Sequence, residues 1–191
     1  MVGKKGRKYS KLRDKMKFID LSQEIYDKMP VYPGDPAVEI RQVHFLARQG
    51  WNLRTMLVTT HQATHVNVPA HMVEGGKSVD DYKVEDFMGK ARVFTGRESV
   101  EPGVGLIFVE GNISAEIVEW LTEDKPAFVG LWEKFEFDIE LERKLLAAGI
   151  ISYENLVNCD KLPKASDFEF WGLPLKIRGA DGSPVRAVAF V

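Results

Sequence analysis

The sequence predicts a single mixed α/β domain that is rich in strands and contains a few helices. Its 191 residues are enough for one domain with a buried core. Short segments with alternating or uninterrupted apolar residues, which are typical of strands, recur from residue 17 to the C-terminus. Two segments with apolar residues at helical spacing lie between them, near residues 115–121 and 139–148. Because both kinds of segment are interleaved, we expect one mixed domain over residues 17–191.

The first third of the chain predicts strands joined by one rigid loop. Residues 17–21 have the pattern of a short strand, and residues 29–36 are dense in proline and glycine, which favours a fixed loop. Residues 38–45 alternate apolar and polar side chains with one change of phase, and this predicts a strand with a bulge. Residues 51–60 are rich in apolar and β-branched residues and predict a strand that ends directly before a group of histidines.

The middle of the chain predicts a short helix and then more strands. Ser78 or Asp80 is placed to cap a helix that reaches Met88 and ends at Gly89. Further strands are predicted at residues 91–95, 104–109, 127–131 and 150–154, and residues 173–191 predict a hairpin around a turn at residues 179–184.

Two longer helices are predicted from their caps and their apolar spacing. Ser114 is an N-cap for residues 115–121, and Asp138 is an N-cap for residues 139–148. Gly149 follows the second segment and is expected to end it, because glycine takes the left-handed conformation of a helix C-terminus at little cost.

Composition limits the classes of protein that the chain can be. A hydrophobic content of 45% and a charged content of 28% are ordinary for a globular protein outside the membrane, and no apolar run approaches the ~18 residues of a membrane span. Cys159 is the only cysteine, so the chain cannot form an internal disulfide. We therefore expect a reducing, cytoplasmic location and a buried, inert thiol.

The N-terminus is strongly basic. Residues 1–17 carry eight lysines and arginines against one acid, Asp14. Such an arm binds nucleic acid or an anionic surface in some proteins, but a solvated, disordered arm over residues 1–16 is the interpretation that we favour. Met16 directly precedes the first predicted strand, and a natural start at Met16 is a further interpretation of the arm.

Three of the four histidines lie within the eleven residues 61–71. Histidine is the commonest metal-binding side chain, so His61, His65 and His71 predict a metal or catalytic site, whereas the isolated His44 is expected to be structural. The β-branched residues and proline around them argue against a helix. An extended backbone instead places His65 and Asn67 on one face. Carboxylates must come from elsewhere, and spacing alone does not select them among the acids of the chain.

Residues 61–71 resemble the signature H-x-G-T-H-x-D-x-P-x-H of the Putative cyclase superfamily, which contains bacterial kynurenine formamidases (arylformamidases) and isatin hydrolases. The similarity continues to the C-terminus in the same order. It includes residues 19–22, 32–36, 149–150, 154–156, 173–177 and 181–187.

The resemblance implies a swivelling β/β/α-type (cyclase-like) fold that assembles as a homo-oligomer, a dimer or tetramer. It implies a metal-dependent amidohydrolase of tryptophan catabolism that acts on a small molecule of N-formylkynurenine type, with zinc or manganese, one or two ions, as cofactor. His71 and Glu154 are the implied catalytic residues. Carried over by position, the implied metal ligands are His61, His65, Asn67, His71, Glu142 and Glu154.

Three positions depart from the family pattern. Ala63 replaces the signature glycine, Asn67 replaces its aspartate, and Glu142 stands where the family has a histidine. An asparagine carries no charge and bridges two cations poorly, whereas Glu142 returns a carboxylate. We therefore predict a rearranged site, with a single metal or a harder one such as manganese. The alternatives are a catalytically silent binding or scaffold protein and a hydrolase of cyclic amides or lactones such as isatin.

Overall fold

A computed structural model describes residues 17–191, and the predicted arm over residues 1–16 lies outside the described residues. The strands of the described part are β1 Phe18–Asp20, β2 Glu39–His44, β3 Leu53–Leu57, β4 His65–Asn67, β5 Met88–Val93, β6 Gly105–Phe108, β7 Phe128–Trp132, β8 Ile151–Leu156, β9 Phe168–Pro174 and β10 Gly182–Phe190. Its α-helices are α1 Leu46–Gln49, α2 Ala115–Asp124 and α3 Ile139–Ala147, and its 3₁₀ helices are Pro69–His71, Val79–Asp81, Val84–Phe87, Arg97–Ser99 and Cys159–Lys161.

Seven strands close into a barrel. Their order is β4, β8, β7, β6, β5, β9 and β10, and β10 pairs with both β9 and β4 to close the ring. The strands from β5 to β8 run parallel to one another, and the other pairs are antiparallel. β1 adds to the far end of β10. The prediction of one strand-rich mixed domain is therefore confirmed.

Helices α2 and α3 cover the outer face of the parallel strands. Val118 and Leu121 of α2 and Leu145 of α3 form a buried cluster with Leu106 and Val129 of the sheet. This cluster is distinct from the one inside the barrel.

Within the described residues, no helix is long and apolar enough to cross a membrane.

The structure confirms both predicted helix caps. The hydroxyl of Ser114 accepts a hydrogen bond from the backbone N–H of Ile117 at 3.4 Å. The carboxylate of Asp138 accepts from the N–H groups of Glu140 and Leu141 at 3.0 and 3.1 Å. Each cap satisfies donors that have no partner inside the helix, and a cap of this kind is worth about 1 kcal/mol.

Aromatic rings fill the barrel interior. Phe128, Tyr153 and Phe170 are fully buried, with ring centroids 4.7 to 5.3 Å apart. A Cβ atom at Gly105 would lie 2.1 Å from the ring of Phe128. The ring of Phe128 therefore occupies space that a side chain at position 105 would fill.

The predicted helix that reaches Met88 is wrong. The segment instead forms two 3₁₀ turns, Val79–Asp81 and Val84–Phe87, and strand β5 begins at Met88. Ser78 does begin the first turn, where it forms a capping box with Asp81, whose carboxylate accepts from the backbone N–H of Ser78 at 2.9 Å. The first turn ends at Tyr82, whose backbone is extended, and the second turn ends where Phe87 enters the buried core and strand β5 begins.

The predicted bulge near residues 38–45 is confirmed. β2 and β3 form a separate two-stranded sheet within residues 17–191, and their register shifts between Gln42 and His44. His44 packs edge-on against Trp51, with the ring centroids 5.3 Å apart. All five residues of β3 are exposed, whereas Ile40 of β2 packs against the buried cluster of Met29, Val38 and Ala63.

We expect Cys159 to be unreactive in the native protein. Its side chain is buried, and this burial, together with the charges of Asp160 and Glu133, raises the pKa of the thiol to about 12. Only the thiolate is nucleophilic, so iodoacetamide at about pH 8 should leave the folded protein unmodified. Mass spectrometry after labelling measures this, and the urea-unfolded chain is the positive control. Stoichiometric labelling of the native protein would contradict the expectation.

Candidate metal centre

Strand β4 is the centre of the predicted site. It pairs with β8, so that His65 lies opposite Glu154 and Asn67 lies opposite Ser152. It also pairs with β10, where Gly182 lies opposite Asn67. The backbone of β4 is extended, as predicted, and the side chains of His65 and Asn67 both approach Glu154.

The turn before β4 orients His65. Ala63 has a φ of 56°, in the left-handed region that the signature glycine adopts freely and that costs an alanine roughly 1–2 kcal/mol. In this conformation the Ala63 carbonyl accepts hydrogen bonds from Nδ1 of His65 at 2.8 Å and from the amide of Asn155 at 3.1 Å. Nδ1 of His65 therefore carries its proton, and Nε2 faces Glu154 at 3.5 Å.

His61, His71 and Asp181 form a group that suits a metal ion. Nε2 of His61 lies 2.8 Å and Nδ1 of His71 lies 3.5 Å from the same oxygen of Asp181. Among the residues that the structure describes, they are the one group of three whose ligand atoms all lie within 4.8 Å of one another. Ligand atoms around a tetrahedral zinc ion are separated by about 3.3 Å, so the spacing fits a divalent ion.

Asp181 is the member of the site that sequence reasoning missed. It lies in the connection just before β10, and the hydroxyl of Thr60 donates to its second oxygen at 2.9 Å. Burial alone would raise its pKa, but the hydrogen bonds from His61 and Thr60 outweigh this and hold the pKa of Asp181 at about 2. The group is therefore an anion at neutral pH, as a metal ligand must be.

A second cluster of polar side chains surrounds Asn67. Its amide nitrogen donates to one oxygen of Glu142 and to one oxygen of Glu154, both at 2.7 Å. Its amide oxygen lies 2.7 Å from Nδ1 of His61. The hydroxyl of Ser152 donates to the same Glu142 oxygen at 2.6 Å. Because carboxylates only accept hydrogen bonds, these partners set the orientation of the amide.

The two glutamates of this cluster differ in acidity. Burial, reinforced by the neighbouring charge of Glu154, raises the pKa of Glu142. Burial acts on Glu154 in the same direction, but its contacts with His65 and Asn67 prevail and lower the pKa of Glu154. Burial would lower the pKa of His65, yet Glu154 raises it overall. His65 and Glu154 therefore form a partly buried charged pair.

His71 lies at the exposed edge of the group. Its ring is tilted over the ring of His61, with the centroids 3.9 Å apart. Burial and the proximity of His61 together lower the pKa of His71. A neutral imidazole near pH 7 can bind a metal or accept a proton, and both roles agree with the expectation from the sequence.

Comparisons with known proteins identify the family of the chain. The Putative cyclase family model matches residues 19–110. A kynurenine formamidase from Salinibacter ruber is 30% identical over an alignment of 213 residues. The alignment covers 91% of this chain and 97% of that protein. The chain belongs to the Putative cyclase family.

Solved structures confirm the cyclase-like fold of this family member. Isatin hydrolase A from Ralstonia solanacearum has a TM-score of 0.78 at 20% identity, over 97% of this chain and 96% of its own. A potential metal-dependent hydrolase with cyclase activity has a TM-score of 0.74 at 22% identity, over 92% of this chain and 98% of its own.

In this cyclase-family chain, one set of contacts connects all the residues expected from the sequence. Asn67 contacts Glu142, Glu154 and His61, Glu154 contacts His65, and His61 reaches His71 through Asp181. Two of the residues that depart from the family pattern, Asn67 and Glu142, contact each other directly. The structure thus brings the six predicted residues together and adds Asp181 as a seventh.

Proposed function

We propose that this protein is a cytoplasmic, metal-dependent hydrolase that cleaves the amide bond of an aryl formamide of N-formylkynurenine type. The observation that carries the proposal is the convergence of His61, His71 and Asp181 in a member of this family. The Salinibacter ruber relative bears the name kynurenine formamidase, which supports this substrate class. Zinc or manganese is the proposed cofactor.

The donor set fits a divalent ion. Imidazole nitrogens with one carboxylate are ligands that zinc and manganese accept, and Nδ1 of His61 faces the oxygen of Asn67, which leaves Nε2 as the ligand atom. His61, His71 and Asp181 would hold the ion. A divalent ion in such a site lowers the pKa of water and polarises a carbonyl group.

Glu154 is the proposed proton carrier. Its side chain is 24% exposed, whereas Glu142 is almost completely buried, so Glu154 is the glutamate that a substrate can reach. Its pKa is lowered, so it is ionised at neutral pH and can take a proton from the attacking water. It would then deliver that proton to the departing aniline nitrogen, with His65 compensating its charge. A positioned acid–base group of this kind contributes about 10²–10⁴ in rate.

A homo-oligomer is the proposed assembly, and the β2–β3 hairpin is its proposed contact surface. Large apolar side chains are exposed on this hairpin and on α1. They include Leu46, Trp51, Met56 and Leu57, each more than half exposed. Apolar surface of this kind marks protein–protein contacts.

Replacing Leu57 with glutamate is expected to shift the protein towards the monomer, because a charge cannot be buried unpaired between two copies. Multi-angle light scattering measures the mass. Val84→Glu is the matched control, since Val84 is also more than half exposed but lies outside the hairpin. A monomeric wild-type protein, or an equal effect of both substitutions, would contradict the proposed surface.

Hydrolysis assays test the proposed activity. Metal-free protein should be inactive on N-formylkynurenine, and zinc or manganese should restore turnover. Isatin and lactones are assayed in parallel, and turnover of isatin alone would move the substrate to the cyclic amides. A metal-loaded protein that hydrolyses none of them would contradict the proposal and favour a silent binding protein. Activity that arises only in the Asn67→Asp, Glu142→His double variant would show that the natural chain has left this reaction.

Gly182→Ala is expected to impair the site through His61. A Cβ atom at position 182 would lie 2.7 Å from Cε1 of His61 and 2.7 Å from the carbonyl oxygen of Val66. The ring must move, and a displacement of about 1 Å at a reacting site costs about 10²-fold in kcat/KM.

Gly105→Ala is the matched control for that variant. It creates a clash with Phe128 inside the barrel, so both variants should lose roughly 1–3 kcal/mol of stability. Only Gly182→Ala should lose activity per folded molecule, which is measured well below both melting temperatures. Equal kcat/KM values for the two variants would show that position 182 does not act through His61.

A further inference from the structure

We propose that Asn67 restricts this site to a single divalent ion, held by His61, His71 and Asp181. In this arrangement Glu142 and Glu154 bind the amide of Asn67 in place of a second ion. The inference rests on the proposed function and deepens it, because it states the number of ions and gives Asn67 the role of a positioning residue.

The hydrogen bonds of Asn67 occupy the space between the two glutamates. A primary amide has two N–H donors, and its nitrogen lies 2.7 Å from an oxygen of Glu142 and 2.7 Å from an oxygen of Glu154. The positive ends of the N–H groups therefore point to where a second cation would need to lie. A carboxylate at position 67 would offer ligand oxygens there, whereas the amide offers hydrogens.

Turning the amide around does not recover a second site. The amide oxygen accepts from Nδ1 of His61 at 2.7 Å, and a flip would place an N–H group against that nitrogen. The hydrogen bond that fixes the tautomer of His61 would then be lost. Partners of this kind, behind a metal ligand, typically change metal affinity by about 10–100-fold. The orientation that closes the second site is thus the one that supports the first.

Glu142 is satisfied without a metal. Its side chain is buried, and the same oxygen accepts from Asn67 and, at 2.6 Å, from Ser152. A histidine at position 142, as in the family, would instead face Asn67 with a ring nitrogen. Two of the three departures from the family pattern, Asn67 and Glu142, therefore form one donor–acceptor pair.

The Asp181 group remains complete beside this cluster. Its three ligand atoms involve neither glutamate, and the second oxygen of Asp181 is held by Thr60 at 2.9 Å. Loss of the second ion therefore leaves every ligand of the first in place.

Metal stoichiometry tests the inference. Protein purified without chelator is equilibrated with zinc or manganese, freed of loosely bound ions and analysed for metal by mass spectrometry. We expect one ion per chain for the wild type, well below one for Asp181→Asn, and an unchanged single ion for Glu154→Gln. The Asn67→Asp, Glu142→His double variant should bind two.

Anomalous diffraction from wild-type crystals gives a test that depends on no variant. One peak between His61, His71 and Asp181 is expected, and a peak between Glu142 and Glu154 would overturn the inference. In the metal analysis, two ions per wild-type chain or loss of the metal from Glu154→Gln would also overturn it. These outcomes are separate from failure of the proposed function. A chain that holds one ion at Asp181 but hydrolyses no amide contradicts the proposed function alone.

Discussion

Replacing His61 with alanine is expected to lower kcat/KM for amide hydrolysis by at least about 10³-fold. Its ring contributes one ligand atom opposite Asp181, and its other nitrogen binds Asn67, so the substitution breaks both parts of the site at once. Loss of one preorganised group that stabilises an oxyanion lowers kcat by about 10²–10³-fold. Loss of the ion would remove the activation of water as well.

His44→Ala is the matched control for this experiment. It deletes the same side chain in the β2–β3 hairpin, where His44 contacts Trp51 rather than the metal centre. Steady-state kinetics and metal analysis are measured on both variants. His44→Ala should keep its metal and its turnover, while His61→Ala should lose both. Wild-type activity in His61→Ala would exclude the proposed centre.

Local patterns predicted the part of the site that lies in one strand. An extended backbone repeats every two residues, so the positions of His65 and Asn67 on one face followed from their spacing alone. The caps of α2 and α3 are equally local, because Ser114 and Asp138 satisfy backbone groups within three residues of themselves. Such features depend little on the rest of the fold.

The acids of the site are contributed by distant parts of the chain. Glu154 faces His65 because β8 pairs with β4, and Glu142 reaches Asn67 because α3 packs over β8. Spacing did not select these two acids, and the resemblance to the family was needed. Asp181 lies in a glycine-rich turn that has the composition of a solvated loop. Only the pairing of β10 with β4 turns its carboxylate towards His61.

The predicted helix before β5 failed for a related reason. Ser78 supplied a correct cap signal, but a cap determines where a helix begins and not how far it continues. Phe87 contributes to the buried core, and Gly89 pairs with Phe170 inside the sheet. Tertiary packing therefore overrode a local propensity that favoured one continuous helix.

Asn67→Asp is expected to destabilise the metal-free protein by about 3 kcal/mol. The substitution removes the N–H groups that Glu142 and Glu154 bind and adds a third carboxylate beside them. Uncompensated charge in a buried cluster typically costs about 3–5 kcal/mol. Asn67→Ala separates the two contributions, because it removes the donors without adding a charge and should therefore destabilise the protein less.

The pH dependence identifies the cause of that loss. Burial, together with the charge of Glu154, raises the pKa of Glu142 above its ordinary value of 4.5. An acid whose pKa is raised by folding supports stability below its ordinary pKa, and this contribution is lost as the pH rises through the pKa of the folded state. A further acid at position 67 enlarges this effect. The deficit of Asn67→Asp in urea unfolding should therefore be small near pH 4 and grow towards about pH 7.

Charge compensation and metal binding should each reverse the deficit of Asn67→Asp. The Asn67→Asp, Glu142→Gln double variant restores the number of carboxylates and should recover most of the stability in a double-mutant cycle. Zinc or manganese at 100 times its dissociation constant adds about 2.7 kcal/mol to a protein that binds it only when folded. The carboxylate at position 67 supplies the ligand oxygens that Asn67 lacks, so Asn67→Asp should bind a second ion. Metal should therefore raise the free energy of unfolding of Asn67→Asp more than that of the wild type. An Asn67→Asp protein as stable as the wild type in chelator at about pH 7 would show that the amide does not hold the glutamates together.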